Sequence, residues 1–419
     1  MTMATLEQPY LSVVVTTRND DHGGHLLRRT QTFVNALVAQ LKRFELPAEL
    51  IVVEWNPPGD RPPLRDALRW PSLPSHASVR LIQVPPAVHS SYRNAQTLPL
   101  YQMIAKNVGI RRAKGQFVLA TNIDILFSDE LMAFLAQRSL SVGSMYRIDR
   151  HDAMTDVPVD APVEEQLAYC SSHLLRVNSQ GGTFAVGPRG EPTPSPDSSR
   201  PEPESVSVSA GGSRSPGFFA KVAGVLRRAA EDGPVIQVWV PIPGPVRRIL
   251  RSCLGLPAYS PASAPDATTE VSTEVSPDDS NGGTPPVHLH TNACGDFTLM
   301  AKSHWLDLRG YPEWDLYSLH IDSVLCHAAH NAGAREVLLR EPMRIYHIEH
   351  GQGSGWTPEG EKQLFQRLKE KGISWFEHED LVRLAAQMRR LECPMIFNRE
   401  NWGLAEYDLP EVVVPSVKT

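Results

Sequence analysis

The chain has 419 residues, of which 41% are hydrophobic and 21% charged, so it is long enough for one large or two medium domains with a buried core. Its 41 Lys and Arg residues against 47 Asp and Glu residues give a net charge of −6. This balance argues against a nucleic-acid binder that depends on phosphate contacts, because such a protein needs a basic surface.

Cysteine usage and the start of the chain bear on the cellular compartment. The five cysteines include no Cys-x-x-Cys pair, which argues against a disulfide framework and against a zinc ribbon. The first ten residues lack the basic start and apolar run of a signal peptide. No apolar run approaches the roughly 20 residues that a membrane helix needs. We therefore expect a soluble, cytoplasmic protein.

Residues 1–179 alternate strand patterns with helix patterns. The predicted elements, in chain order, are a strand at 11–15, a helix through Phe33, Leu37 and Leu41, strands at 50–53 and 79–84, a helix from Tyr101 to Val108, and a strand at 117–121. Short apolar runs that are separated by helices are typical of a parallel sheet with both faces covered. This half therefore predicts an α/β fold.

Residues 180–286 differ in composition from the rest of the chain. The stretches 189–217 and 260–285 are rich in Pro, Ser, Thr, Gly and acidic residues, which predicts a long disordered insertion. Between them, residues 218–259 form an island with apolar and basic side chains. The island is open to two interpretations: an interfacial helix that contacts an anionic membrane at its cytoplasmic face, or a segment that caps the domain or does not order.

Residues 287–419 again have the pattern of a folded region. Leu381, Leu384, Met388 and Leu391 fall on one helical face, as expected of a helix that packs on a core. The chain therefore predicts one α/β domain, a mostly parallel Rossmann-like sheet flanked by helices, which the insertion splits into two halves.

The segment at 105–124, AKNVGIRRAKGQFVLATNID, carries the strongest chemical signal. It predicts a helix followed by a strand whose carboxyl end presents Asn122 and Asp124, two residues apart and so on one face. Ligands of open parallel sheets bind at this edge. A carboxylate here suits Mg²⁺ or Mn²⁺ shared with a diphosphate. The alternative is a polar strand end that only turns the chain.

The spacing Lys-Asn-x-Gly-Ile-x-x-Ala-x-Gly-x-x-x-Leu-x-x-Asn-x-Asp in this segment resembles the centre of GT-A-fold, family-2-like glycosyltransferases. The resemblance implies a GT-A fold, a nucleoside-diphosphate-sugar donor, and Mn²⁺ or Mg²⁺ on the last acid of an Asp-x-Asp motif. The residues that it implies for donor binding are Thr17, Arg18 and Asn19 after the first strand, Glu54 after the second, and Lys106, Asn107 and Asn122; the implied metal ligand is Asp124.

The third region continues the resemblance in the same order. Gly295-Asp296 resembles the start of the family's acceptor-side segment, so Asp296 is implied as an acceptor-binding residue. Ile321-Asp322 falls where the family has Glu-Asp, which implies that Asp322 is the catalytic base. Arg344-Ile345-Tyr346-His347 resembles the late strand that ends in a metal-binding histidine. The resemblance thus implies nucleotide binding in residues 1–179 and acceptor binding and catalysis in residues 287–419.

Two positions depart from the family pattern. Asn122 replaces the first acid of Asp-x-Asp, and Ile321 replaces the first acid of Glu-Asp. The implied reaction is transfer of a sugar to a hydroxyl of a glycan, a lipid-linked acceptor or a protein, with Asp322 as general base and inversion of configuration. Two alternatives stay open: a sugar-phosphate nucleotidyltransferase, and a catalytically degenerate relative that binds a nucleotide sugar.

Several further residues have two interpretations each. His350, three residues after His347, is either a second metal ligand or part of the following Gly-rich loop. Arg147 and Arg150 either bind a diphosphate or form a salt-bridge cluster. His22 belongs to a group of acidic residues and histidines after the first strand, for which a hydrated loop near the nucleotide is favoured over a metal site.

Overall fold

The computed structural model describes residues 8–187, 192–194, 288–350 and 358–415. Most of the predicted insertion at 180–286, including the basic island, lies outside the described residues. The described elements on the two sides of the insertion belong to one compact unit.

The described residues form fourteen strands and ten helices. The strands are β1 Leu11–Thr17, β2 Ala48–Trp55, β3 Ala77–Val84, β4 Phe117–Ala120, β5 Ile125–Phe127, β6 Ser144–Ile148, β7 Arg150–Ala153, β8 Leu174–Ser179, β9 Gly182–Val186, β10 Pro192–Pro194, β11 Thr298–Ala301, β12 Arg335–Leu339, β13 Ile345–Ile348 and β14 Glu411–Val413. The helices are α1 Leu26–Arg43, α2 Leu64–Ala67, α3 Pro86–His89, α4 Gln102–Arg112, α5 Asp129–Ala136, α6 Val163–Ser172, α7 Lys302–Leu308, α8 Ile321–Asn331, α9 Pro358–Glu370 and α10 His378–Leu391. The strands and helices predicted from the sequence are confirmed, with small shifts at their ends.

The main sheet has eight strands in the order β12-β6-β11-β4-β1-β2-β3-β14. Its centre is parallel, since β4, β1, β2 and β3 all run in one direction. β11 is antiparallel to both β4 and β6, and β14 is antiparallel to β3. The predicted α/β architecture, a largely parallel sheet flanked by helices, is confirmed.

Both faces of the central strands are buried, which explains their nearly continuous apolar sequence. Val13 and Val15 of β1 pack on one face in a cluster with Phe33 of α1. Val14 packs on the opposite face in a cluster with Ile104 of α4. The two-residue alternation of the strand and the helical spacing of α1 and α4 thus sandwich the sheet between helices.

A second sheet, in the order β10-β9-β8-β7-β13-β5, lies downstream of β4 in the chain. β13 pairs antiparallel with β5 and parallel with β7, so that it joins a strand from the third region to strands from the first. The hairpin of β8 and β9 extends to Val186. The described strands therefore extend past residue 179, where the sequence predicted the start of the insertion. Within the described residues, no helix combines the length and apolar character needed to cross a membrane.

Candidate functional site

The pairing of β13 with β5 brings Asp124 and His347 together. Asp124 immediately precedes β5, and His347 of β13 is the register partner of Ile125. The backbone N–H of Ile348 donates to the carbonyl oxygen of Asp124 at 2.9 Å. This bond fixes the two residues side by side at the edge where β4 ends, as ligand sites in parallel sheets require.

Three nitrogen-bearing side chains surround one oxygen of Asp124. Its Oδ2 lies 2.7 Å from Nη1 of Arg29, 3.3 Å from Nε2 of His350 and 3.9 Å from Nε2 of His347. Burial alone would raise the pKa of Asp124, but the hydrogen bond with His350 and the charges of His347, His350 and Arg29 hold it well below its usual value. Asp124 is therefore a permanently ionised carboxylate with nitrogen atoms aimed at it.

The second ring nitrogen of His347 faces another carboxylate. Nδ1 lies 3.2 Å from Oδ1 of Asp152, which is also ion-paired with Nε of Arg150 at 2.8 Å. Burial and Arg150 oppose a charge on His347, but the hydrogen bond with Asp152 and the charges of Asp124 and Asp152 raise its pKa. A carboxylate on the far nitrogen is the usual way in which proteins orient a metal-binding histidine.

The residues present fit a divalent cation. The ligand atoms of Asp124, His347 and His350 all lie within 4.8 Å of one another, and one carboxylate with two imidazoles suits Mn²⁺ and related ions. Asp152, His347 and Glu349 form a second group within the same limit. Asp152 is ion-paired with both Arg150 and Arg176, and Glu349 with Arg176, whereas Asp124 has one arginine partner, Arg29, so the first group is the better candidate.

Asp322, in the first turn of α8, is the centre of a second buried acidic region. We call the surroundings of Asp124 and of Asp322 the two acidic corners of the site. Oδ1 of Asp322 accepts the N–H of Ser323 at 2.9 Å. A Cβ added to Gly295 would lie 2.9 Å from Oδ2 of Asp322, so only glycine fits at position 295 without moving this carboxylate. Burial raises the pKa of Asp322, although its hydrogen bonds and the charges of Lys106 and Arg147 act in the opposite direction.

Lys106 of α4 lies completely buried beneath this corner. Its Nζ donates to the carbonyl oxygen of Gly295 at 2.6 Å. Burial lowers the pKa of Lys106 to about 8, while the charges of Asp296, Asp322 and Asp124 act against the shift. The ammonium group is thus buried, and it interacts electrostatically with the carboxylates of Asp296, Asp322 and Asp124.

Asp296 connects the two acidic corners. Nδ2 of Asn122 donates to its Oδ1, Nη1 of Arg150 lies 2.5 Å from its Oδ2, and Oγ1 of Thr121 donates to its carbonyl oxygen at 2.6 Å. Gln102 in turn donates to Oδ1 of Asn122 at 3.0 Å. The loop after β4 and the turn before β11 are therefore tied together by buried polar contacts.

The residues predicted for nucleotide binding after β1 and β2 lie at one edge of the sheet. Thr17 and Glu54 are register partners at the ends of these strands. Oε1 of Glu54 accepts the N–H of Leu64 at 2.9 Å, and burial raises the pKa of Glu54. Nδ2 of Asn19 donates to the carbonyl oxygen of Pro62 at 2.8 Å, and Nε of Arg18 donates to that of Asn56 at 2.7 Å. These side chains position the loop between β2 and α2 beside the edge.

Asn107 makes contacts of a different kind from its neighbour Lys106. Its Nδ2 donates to the carbonyl oxygen of Tyr311 at 2.8 Å and to Oε1 of Glu313 at 3.0 Å. Its Oδ1 accepts the N–H of Tyr311 at 2.8 Å. These bonds hold the segment after α7 against α4.

The structure also adds residues that the sequence did not single out. Arg29 carries no sequence signal, because it is one of two adjacent arginines on α1 and its partner Asp124 is 95 residues away. Asp152 likewise belongs to no recognisable motif.

Arg147 had two interpretations from the sequence, diphosphate binding and a salt-bridge cluster. In the structure it donates to the carbonyl oxygens of His290 at 2.9 Å and of Asn292 at 3.2 Å.

Comparisons with known proteins find similarity among solved structures only. The sequence matches no protein-family model, and no curated protein matches it either. Among solved structures, the chain is similar to S. aureus TarS, a glycosyltransferase, with a TM-score of 0.34 and 12% sequence identity. The superposition covers 90% of this chain and 42% of the TarS chain, so the chain spans less than half of that relative's length. A similarity of this size assigns neither an activity nor a site residue to this chain.

Proposed function

We propose that this chain is a glycosyltransferase that moves a sugar from a nucleoside-diphosphate sugar to an acceptor hydroxyl, with inversion and with the help of Mn²⁺ or Mg²⁺. The observation that carries the proposal is the convergence of Asp124, His347 and His350 at the carboxyl edge of β4. The motif at residues 105–124 and the parallel centre of the main sheet support the same interpretation.

In this proposal Asp124, His347 and His350 would hold the cation, and Asp152 orients His347 through its Nδ1. A bound divalent cation supplies Lewis-acid stabilisation of the negative charge that develops on a leaving diphosphate. Thr17, Arg18, Asn19 and Glu54 line the edge of β1 and β2 where the nucleoside would lie.

Asp322 is the proposed general base. Its raised pKa makes it a better proton acceptor than an ordinary carboxylate, and Lys106 keeps a positive charge close enough to favour its ionised form. Asp322 would accept the proton of the acceptor hydroxyl as that oxygen attacks the anomeric carbon from the face opposite the diphosphate. Asp296, fixed by Asn122 and Arg150, is the proposed acceptor-binding residue.

The proposal is tested with the purified protein and a panel of nucleotide sugars, with and without Mn²⁺. A thermal-shift screen identifies the donor, because a ligand at one hundred times its Kd adds about 2.7 kcal/mol to the free energy of unfolding. We expect one nucleotide sugar to stand out, and we expect Asp124→Asn to abolish the Mn²⁺-dependent part of its shift. The exposed Asp60→Asn is the matched control.

The products then decide between the classes of enzyme. Release of a nucleoside diphosphate together with a glycosylated acceptor supports sugar transfer, and the acceptor panel comprises glycans, lipid-linked sugars and protein. Release of pyrophosphate from a nucleotide and a sugar phosphate would instead identify a nucleotidyltransferase. A thermal shift without any turnover, on all acceptors and donors, would identify a binding protein and overturn the proposal.

A further inference from the structure

Asp124 is shared between the proposed metal ligands and an arginine. Nη1 of Arg29 lies 2.7 Å from the same Oδ2 that Nε2 of His350 and Nε2 of His347 approach at 3.3 Å and 3.9 Å. Arg29 and Asp124 are each about 5% exposed, so water screens this ion pair little. The strongest partner of the carboxylate is therefore a side chain of the protein itself.

A guanidinium group and a divalent cation cannot both use this oxygen well. A cation such as Mg²⁺ binds carboxylate oxygen at about 2.1 Å, which would bring it within a few ångströms of Nη1 of Arg29. Two positive charges at that separation repel strongly in a buried site. Binding of the cation through Oδ2 of Asp124 therefore requires Arg29 to release this oxygen.

Arg29 also holds the loop that follows the predicted nucleotide-binding residues. Its Nη2 donates to the carbonyl oxygens of His22 at 2.5 Å and of Gly24 at 3.2 Å. Between them, Gly23 has a φ of 73°, and a Cβ at this position would collide with the ring of His350 and lie 3.1 Å from Nη2 of Arg29. The loop is therefore packed against both the arginine and one proposed metal ligand.

We propose that Arg29 competes with the divalent cation for Asp124, and that this competition couples metal binding to the conformation of the loop at residues 20–25. The inference depends on the proposed metal role of Asp124, His347 and His350. When Arg29 holds Asp124, the cation site is closed and the loop is tied down. When the cation binds, Arg29 releases both Asp124 and the loop, and its guanidinium becomes available to a diphosphate.

The first test is Mn²⁺ binding to the full chain without substrate, measured by electron paramagnetic resonance. If Arg29 holds Asp124 nine-tenths of the time or more, its removal raises the apparent affinity at least about tenfold. We therefore expect Arg29→Met to bind Mn²⁺ at least tenfold more tightly than the wild type. Arg28→Met, which removes the adjacent exposed arginine of the same helix, is the matched control and should change the affinity less than threefold.

Asp124→Asn separates this inference from the proposed function. Loss of Mn²⁺ binding in Asp124→Asn without a gain in Arg29→Met would overturn the competition and leave the metal site standing. Unchanged Mn²⁺ binding in Asp124→Asn would overturn the metal site itself, and with it both proposals.

The second test uses the wild type, so it does not depend on the folding of any variant. The N–H groups of Gly24 and Leu26 donate to Asp21 at 2.9 Å and 3.1 Å and report on the loop by hydrogen exchange. We expect saturating Mn²⁺ to accelerate exchange of these two amides at least threefold. Simple charge repulsion by Arg29 would leave them unchanged, so unchanged or slower exchange at both amides contradicts the coupling even where Arg29→Met binds Mn²⁺ more tightly.

Discussion

The two acidic corners of the site shift the pKa of a buried carboxylate in opposite directions. At Asp124, two imidazoles and a guanidinium outweigh the effect of burial, and the pKa is far below its usual value. At Asp322, burial outweighs the hydrogen bonds and the charges of Lys106 and Arg147, and the pKa is raised. The surroundings therefore favour the ionised form of Asp124 and disfavour that of Asp322.

This difference separates the roles that the two residues would take in the proposed reaction. Enzymes often place two carboxyl groups in environments that move their pKa values in opposite directions. One carboxyl group then has an electrostatic role and the other a role in proton transfer. Asp124 has the properties of a cation ligand and Asp322 those of a general base. The four experiments that follow are ordered from the largest expected effect to the smallest.

The largest effect is expected at Asp322 itself. Asp322→Asn keeps the size of the side chain and removes the proton acceptor, so we expect turnover to fall by about a thousandfold with an unchanged melting temperature. The exposed Asp307→Asn of α7 should retain full activity. A folded Asp322→Asn protein with more than a tenth of wild-type turnover would remove Asp322 from the mechanism.

The next effect tests how finely Asp322 is positioned. In Gly295→Ala, the new methyl group would lie 2.9 Å from Oδ2 of Asp322 and push the carboxylate aside. A displacement of about 1 Å can cost on the order of a hundredfold in rate, so we expect kcat to fall ten- to a hundredfold. Gly59→Ala is the control, because its Cβ would meet nothing within 4 Å. Equal kcat values for the two variants would contradict a reacting role for this carboxylate.

The third experiment uses pH to probe the coupling between Lys106 and Asp322. Positive charge on Lys106 lowers the pKa of Asp322, so Lys106→Met should raise that pKa and move the acid limb of kcat/KM to higher pH. The exposed Lys42→Met of α1 should leave the limb in place.

The comparison requires a charged Lys106 in the pH range of the acid limb, and Lys106 keeps its proton below its pKa of about 8. An acid limb that moves to lower pH in Lys106→Met would contradict the sign of the coupling.

The smallest effect concerns Asn107, which the resemblance implied as a donor-binding residue. Its amide bonds both to the N–H and to the carbonyl oxygen of Tyr311, so Asn107→Ala leaves buried polar groups unpaired. We expect the free energy of unfolding to fall by about 1–3 kcal/mol, measured by denaturant titration, with KM for the donor within twofold of the wild type. A large rise in KM at unchanged stability would contradict this expectation and support the predicted donor-binding role.

The sequence predicted the architecture well because local patterns carry most of it. The apolar runs of β1 to β4 and the helical spacing in α1 and α4 follow from burial on both faces of a parallel sheet. Strand ends were less well predicted: β1 continues to Thr17, since Oγ1 of Thr16 is satisfied by the carbonyl oxygen of Val53 at 3.2 Å. A polar residue at a buried strand end is indistinguishable in sequence from a loop residue.

The site was predicted only where residue types fall in a recognisable motif. Asp124 and His347 do so, and the structure brings them together. Arg29 and Asp152 do not, because each acts through one long-range contact that no local spacing encodes. Such partners determine the pKa of the motif residues, so the chemistry of the site depends on contacts that only the fold reveals.

The antiparallel strand β11 has a consequence for how the protein is made. It lies inside the main sheet between β4 and β6, both of which precede it by many residues in the chain. During synthesis, β4 and β6 emerge from the ribosome long before the strand that joins them. Lys106 likewise emerges long before its hydrogen-bond partner Gly295, which lies 189 residues further along the chain. Closure of loops this long is slow. The central sheet and the acidic corner around Asp322 are therefore completed together, at a late stage of folding, from segments that the ribosome delivers far apart in time.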